Sequence, residues 1–247
     1  MKKKVDFRTA LPNFITITGL CLGLNSIKLA FEGEFEKSII FITIAAILDA
    51  LDGRIARLIK GTSQFGAELD SLTDFVNFGV CPSLIVYFWL LNQLSFYGWI
   101  ACLIFIVACC LRLARFNLDV EKKEKANSWT INFFSGVPSP AAAGLILMPM
   151  IITFSDFSIN HSKDIYFVLF LMLFVSFLMV SKIPTYAVKK IKISKNLFIL
   201  TALALVLLFS MLFYKTFETL AVVGLIYFIS IPISFLHYVN LKKRNIN

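Results

Sequence analysis

Polar material is what this 247-residue chain lacks: 16% of its residues are charged and 58% are hydrophobic. That balance excludes an ordinary water-soluble domain. Histidine is almost missing. The two present are His161, in a polar turn, and His237, beside Tyr238 at the end of an apolar run, where interfacial anchoring explains it better than base catalysis. Cysteine is sparse as well: Cys21, Cys81, Cys102, Cys109 and Cys110 lie inside apolar runs without metal-ligand spacing, which argues against both a zinc site and a disulfide framework. The basic start MKKKVDFRTALPNF is followed by no small-residue cleavage pattern, so the apolar run after it is expected to stay as a span.

Long apolar runs are what the chain has in plenty. Runs of roughly 20 residues, enough to cross a bilayer, fall near 13–31, 35–51, 71–91, 94–113, 138–155, 164–184, 196–214 and 217–239. The expected fold is an all-α polytopic membrane bundle of about eight transmembrane helices, a single domain over residues 1–247. A short N-terminal interfacial helix, with a polar face from Asp6 to Asn13, is expected to turn into the membrane at Pro12. Gly19, Gly23 and Ser26 make a small-residue face for close helix contact, and Asn25 suits a hydrogen bond between helices. Gly79 and Pro82 predict a bend deep in the third run.

A net charge of +9 invites nucleic acid as a partner, but its distribution gives a different reason for the excess. In an even-crossing bundle, Lys2, Lys3, Lys4 and Arg8, then Arg54, Arg57 and Lys60, then Arg112, Arg115, Lys122, Lys123 and Lys125 share one side. Lys182, Lys189, Lys190, Lys192, Lys195, Lys242, Lys243 and Arg244 join them, and little beyond Lys37, Lys163 and Lys215 is left for the other. This positive-inside pattern places both termini at the cytoplasmic face of a membrane, expected to be the bacterial cytoplasmic membrane, where anionic lipid heads are drawn to the same surface.

Acid is scarce and concentrated. Asp49 and Asp52, three apart, close the second apolar run, and Asp70 and Asp74, four apart, open the third. Each spacing stacks its carboxylates on one helical face. Carboxylates gathered at the ends of apolar helices repel one another and are costly to desolvate unless positive charge sits among them. Oxygen-only ligands select hard cations such as Mg2+ or Mn2+, and four carboxylates can bridge two ions as phosphoryl-transfer sites do. Gly53 leaves backbone open beside Asp52, Arg57 is a phosphate fork, and Thr62, Ser63 and Gln64 offer polar contacts for a nucleotide base. Arg112 and Arg115, three apart with Asn117 beyond, read as snorkelling anchors or, preferably, as an anion clamp facing the acidic site.

The pattern D-x2-D-G-x2-A-R-x8-G-x3-D-x3-D, made of Asp49, Asp52, Gly53, Ala56, Arg57, Gly66, Asp70 and Asp74, resembles the complete signature of the CDP-alcohol phosphatidyltransferases. The strings RLARFN, FSGVPSPAAA and LPNFIT resemble those of the family's CDP-diacylglycerol–serine branch. The resemblance implies an integral membrane enzyme that moves a phosphatidyl group from CDP-diacylglycerol to L-serine and releases CMP. It further implies two divalent cations on Asp49, Asp52, Asp70 and Asp74, with Gly53, Ala56, Arg57 and Gly66 along the nucleotide and its phosphates. Asp74 would double as general base, Arg112 or Arg115 would hold a lipid phosphate or the serine carboxylate, and the protein would form homodimers. A sister transferase for glycerol 3-phosphate or inositol phosphate would carry the same signature. A polytopic ion-coupled transporter would account for the apolar bulk but has no need of a Gly–Arg element between carboxylate pairs.

Overall fold

Each apolar run becomes helix in the computed structural model, which describes residues 7–122, 133–157, 164–186 and 195–246. Helices α1 (Phe7–Phe31) and α2 (Phe35–Leu58) form the most extensive helix pair, joined by a turn in which Gly33 takes φ +82°. The small-residue face of α1 lies in this contact and the next one. A Cβ at Gly19 would sit 3.6 Å from the Ala45 carbonyl oxygen, and one at Gly23 only 2.0 Å from Asn77 Oδ1. Asn25 does not bond across helices as expected; it donates to the Cys21 carbonyl of its own helix, because it faces outward.

Helix α3 (Gln64–Phe75) runs through a π turn at Val76–Val80 into α4 (Cys81–Trp89), so the weak point at Gly79 and Pro82 is a widened helical turn. Proline has no N–H for the preceding turn, and a π turn re-spaces the ladder around that loss. Gly79 also admits α5 (Phe96–Lys122), whose Cys109 sulfur would be 3.0 Å from a Cβ there. Helix α6 (Ser139–Phe154) occupies the middle of the bundle, buried along Leu145–Ile151 and flanked by α4, α7 (Ile165–Val180) and α9 (Thr216–Ile246). Helix α8 (Lys195–Tyr214) packs on α9 at the edge. Strands β1 (Phe133–Ser135) and β2 (Pro184–Tyr186) pair antiparallel, Phe134 opposite Thr185. This ribbon is the exception to an all-α chain, and three-residue strands are too short to show alternation in sequence.

Several membrane-length helices are present, but the expected eight must be corrected to four. Among the described residues, only Arg8–Phe31, Gln64–Trp89, Phe96–Leu118 and Thr216–Tyr238 are long and apolar enough to cross. The second half of α2 carries Asp49, Asp52, Arg54 and Arg57. Helices α6 and α7 have 16 residues each, which at 1.5 Å rise per residue reach about 24 Å of a core about 30 Å thick. The outer faces suit lipid: Phe14 is 69% exposed, Phe170 66% and Ile226 64%. Cys81, Cys102 and Cys109 are core residues, whereas Cys21 and Cys110 face outward, and all five thiols are free.

The separate interfacial helix is also corrected. Helix α1 is unbroken from Phe7 to Phe31 with Pro12 inside it. Pro12 cannot offer the Arg8 carbonyl the usual helical N–H, and Gly61 of the α2–α3 loop packs on that same carbonyl, where a Cβ would lie 1.9 Å from the oxygen. The helix is braced at the proline by this contact and has no elbow there. Lys2, Lys3, Lys4, Asp6, Lys123, Lys125, His161, Lys163, Lys189, Lys190 and Lys192 lie outside the described residues.

Candidate active site

The acidic stretch folds as two helices closed by a tight loop. Helix α2 continues past Asp52 through Arg57, so Gly53 and Ala56 are helical and stand one turn apart. It stops in a Schellman arrangement: Gly61 N–H donates to the Ala56 carbonyl at 2.9 Å and Lys60 N–H to Arg57 at 3.4 Å, with Lys60 at φ +54°. The return loop is therefore only residues 59–63. Ser63 then caps α3, its Oγ accepting from Gly66 N–H at 3.0 Å.

These turns enclose a cavity of about 180 Å³. Asp52, Gly53, Ala56 and Arg57 of α2 line it, with Thr62 and Ser63 of the loop and Gly66 and Asp70 of α3. Pro12, Asn13 and Thr16 of α1 close the remaining side. Thr16 Oγ1 donates to Asp52 Oδ2, and Asp52 is 2% exposed. The two signature glycines have different reasons. A Cβ at Gly66 would come within 2.9 Å of Asn13 Oδ1, so this glycine lets α1 close on α3. A Cβ at Gly53 would meet only Arg57 Nη1, at an ordinary 3.7 Å. No protein neighbour requires glycine there; its bareness opens backbone to the cavity. Asn13 and Thr16 were missed as site residues by the sequence reading, although LPNFIT contains them.

Deeper in, Asp49 lies against Asp74, with Asp70 and Asp52 in electrostatic reach, and Arg57 approaches Asp70. Among the described residues, no three acidic, histidine or cysteine side chains close to the spacing of a preformed cation site. The donors nevertheless fit hard cations. Asp49 Oδ1, Asp52 Oδ1 and Asp74 Oδ1 are buried without a hydrogen-bond partner, and buried acceptors in that state are otherwise rare and costly.

The two arginines part company. Arg112 is 8% exposed and lies within electrostatic reach of Asp74; its Nε donates to the Val137 carbonyl at 2.6 Å and Nη1 to Ser139 Oγ at 2.8 Å. Arg115 donates from Nη1 to the Val180 carbonyl at 2.8 Å, capping the C-terminus of α7. Asn117 Nδ2 donates to Ser71 Oγ at 2.9 Å and ties α5 to α3 beside Asp70. The Gly136–Ser139 segment is thus the anchor for Arg112. Gly136 sits at φ +77° and its N–H donates to the Ile183 carbonyl at 2.8 Å, while its own carbonyl accepts from Thr185 Oγ1 at 2.8 Å. A Cβ there would lie 2.6 Å from the Met179 carbonyl oxygen. Gly136→Ala should cost about 2 kcal/mol or more in backbone strain alone, read as a lower Tm in detergent. Activity should fall with it, since the Arg112 partners move.

Comparison with known proteins identifies the family. The profile of the CDP-alcohol phosphatidyltransferase family matches residues 9–178. The chain is similar to the CDP-diacylglycerol–serine O-phosphatidyltransferase of Helicobacter pylori (strain J99), 36% identical over 211 residues that cover 85% of this chain and 84% of the relative. It is similar to the enzymes of the same name from Mycobacterium bovis, 36% identical over 75% of this chain and 64% of the relative, and from Mycobacterium leprae, 38% identical over 70% and 57%. The match spans less than two thirds of the length of the mycobacterial relatives.

Proposed function

Because this chain belongs to the CDP-alcohol phosphatidyltransferase family, we propose that it transfers the phosphatidyl group of CDP-diacylglycerol to the hydroxyl of L-serine, giving phosphatidylserine and CMP. The observation that carries the reading is the cavity bounded by Asp52, Gly53, Ala56, Arg57, Gly66 and Asp70, together with the unpartnered carboxylate oxygens of Asp49, Asp52 and Asp74 in the same acidic cluster. The choice of serine rests on the relatives' names and on the strings shared with that branch.

Asp49, Asp52, Asp70 and Asp74 would hold two divalent cations, Mg2+ or Mn2+, which supply positive charge for the pyrophosphate and for the charge developing at the attacked phosphorus. Arg57, exposed at the rim beside Asp70, pairs with a phosphate oxygen, and the positive end of α3 borders the same space. Gly53 and Ala56 keep the α2 wall low for the nucleotide. Asp74 accepts the proton of the acceptor hydroxyl as that oxygen bonds to the lipid-side phosphorus; the bond from phosphorus to the CMP oxygen breaks, and CMP leaves with its electron pair. Both the lipid donor and the product keep acyl chains, which is why such a site belongs at a membrane surface. In this reading the basic asymmetry of the sequence sets the site and both termini at the cytoplasmic face.

Purified protein given CDP-diacylglycerol and divalent metal is expected to release CMP with L-serine and to form phosphatidylserine. Release with glycerol 3-phosphate or inositol phosphate but not with serine would move the chain to a sister activity. Solute flux across vesicles without any turnover would favour a transporter instead.

A further inference from the structure

One buried polar group beside Arg112 is used by nothing described so far. Tyr227 lies on α9, beyond the segment 9–178 that the family profile matches. Its hydroxyl oxygen is buried and has no hydrogen-bond partner. Helix α9 is fixed on both sides of it. One turn earlier, Gly224 lets α9 close on α6, where a Cβ would lie 2.3 Å from the Met148 sulfur. Two turns later, Ser234 Oγ donates to the Pro184 carbonyl of β2 at 3.0 Å. A hydroxyl held between two such anchors and left unsatisfied is unfavourable, and phenylalanine would pack there without that penalty.

Arg112 stands next to it. The guanidinium lies within electrostatic reach of both Tyr227 and Asp74, and its bonds to Val137 and Ser139 leave further N–H groups uncommitted. Arg112 is therefore in electrostatic reach of both the carboxylate cluster and Tyr227, and none of Asp74, Arg112 and Tyr227 lines the cavity between α1, α2 and α3. Thr185 of β2 is also close to Tyr227, but its own proton goes to the Gly136 carbonyl, and the pair falls outside hydrogen-bond geometry.

We propose that Tyr227 and Arg112 form the carboxylate end of an amino-acid acceptor subsite, Arg112 supplying charge and the Tyr227 hydroxyl a second donor. The inference rests on the transferase reading above and adds a specificity residue to it. In L-serine the carboxylate is two carbons from the hydroxyl, so an acceptor presenting its hydroxyl to Asp74 carries its carboxylate toward the next positive group, Arg112. Recognition by two donors of different kinds, one fixed by α5 and one by α9, also explains why the C-terminal helix is tied so firmly to β2.

The test uses the full chain purified in detergent with CDP-diacylglycerol and Mn2+. Tyr227→Phe should raise the serine KM about tenfold, the loss expected for one hydrogen bond to a charged group. The KM for CDP-diacylglycerol and the Mn2+ activation midpoint should not move. Ethanolamine, which is serine without its carboxylate, should be used equally poorly by wild type and variant. An unchanged serine KM would overturn the inference. So would an equal fall with both acceptors that Thr185→Val reproduces, because Tyr227 would then be only a brace for β2. Should the variant not accumulate, serinamide decides on the wild type: turnover as efficient as with serine excludes a carboxylate subsite. A wild type that ignores serine sinks the underlying reading together with this one, whereas an active wild type with an indifferent Tyr227→Phe sinks this one alone.

Discussion

Asp52→Asn is expected to lower CMP release by about 10³-fold or more, with the protein still inserted and purifiable. Asp52 is almost wholly buried; its Oδ2 accepts from Thr16, and its Oδ1 has no partner. Asparagine keeps the shape, and its carbonyl oxygen can still accept from Thr16, so the fold loses little. What disappears is the charge and the second acceptor oxygen. Thr16→Val makes the complementary change, removing the donor while keeping the carboxylate, and should cost only about tenfold. Asp49→Asn and Asp70→Asn should follow Asp52→Asn. Stability supplies an independent readout. In a chelator the four neighbouring carboxylates repel one another, so replacing one with an amide should hold or raise Tm while turnover collapses. A purely structural aspartate would lose both together. Full activity in a chelator, or in any two of the three asparagine variants, would remove the two-cation proposal.

The helices were legible because each is long and apolar, and the clustering of the four aspartates because their spacing is local. Asp49 with Asp52, and Asp70 with Asp74, share faces by helical periodicity alone, and the intervening Schellman turn is short enough to bring the two pairs together. The small-residue face of α1 and the break at Gly79 were legible for the same reason: each is a property of one helix. Whatever depends on distant segments was not. Asn13 looks like the end of an interfacial polar face, and Thr16 like part of a span, until α1 is seen packed along the cavity. Nothing in RLARFN says that Arg115 caps α7, since Val180 is 65 residues away in the chain. The crossing number failed for a different reason, because composition marks apolar runs without measuring how far their helices reach.

Asp74→Asn separates the two roles proposed for this residue, and the expected result is a defect that metal cannot repair. Asp74 lies beside Asp49 with Oδ1 buried and unpartnered, two residues before the π turn that opens at Val76. The close approach of Cys109 to Gly79 fixes α3 against α5, and therefore Asp74 relative to Arg112. Were Asp74 only a ligand, the amide oxygen would serve as a weaker one, and raising Mn2+ should return turnover toward wild type. As a base it has no substitute, because an amide does not accept the hydroxyl proton. At saturating Mn2+ the variant should therefore stay about 10²- to 10⁴-fold below wild type, the usual contribution of a positioned general base. Asp70→Asn, which on the same proposal removes a ligand alone, should recover in part under the same titration. The comparison turns on kcat at full metal occupancy, which an Mn2+ binding isotherm on each variant establishes. Rescue of Asp74→Asn to near wild-type turnover would disprove the base assignment and leave the residue a ligand.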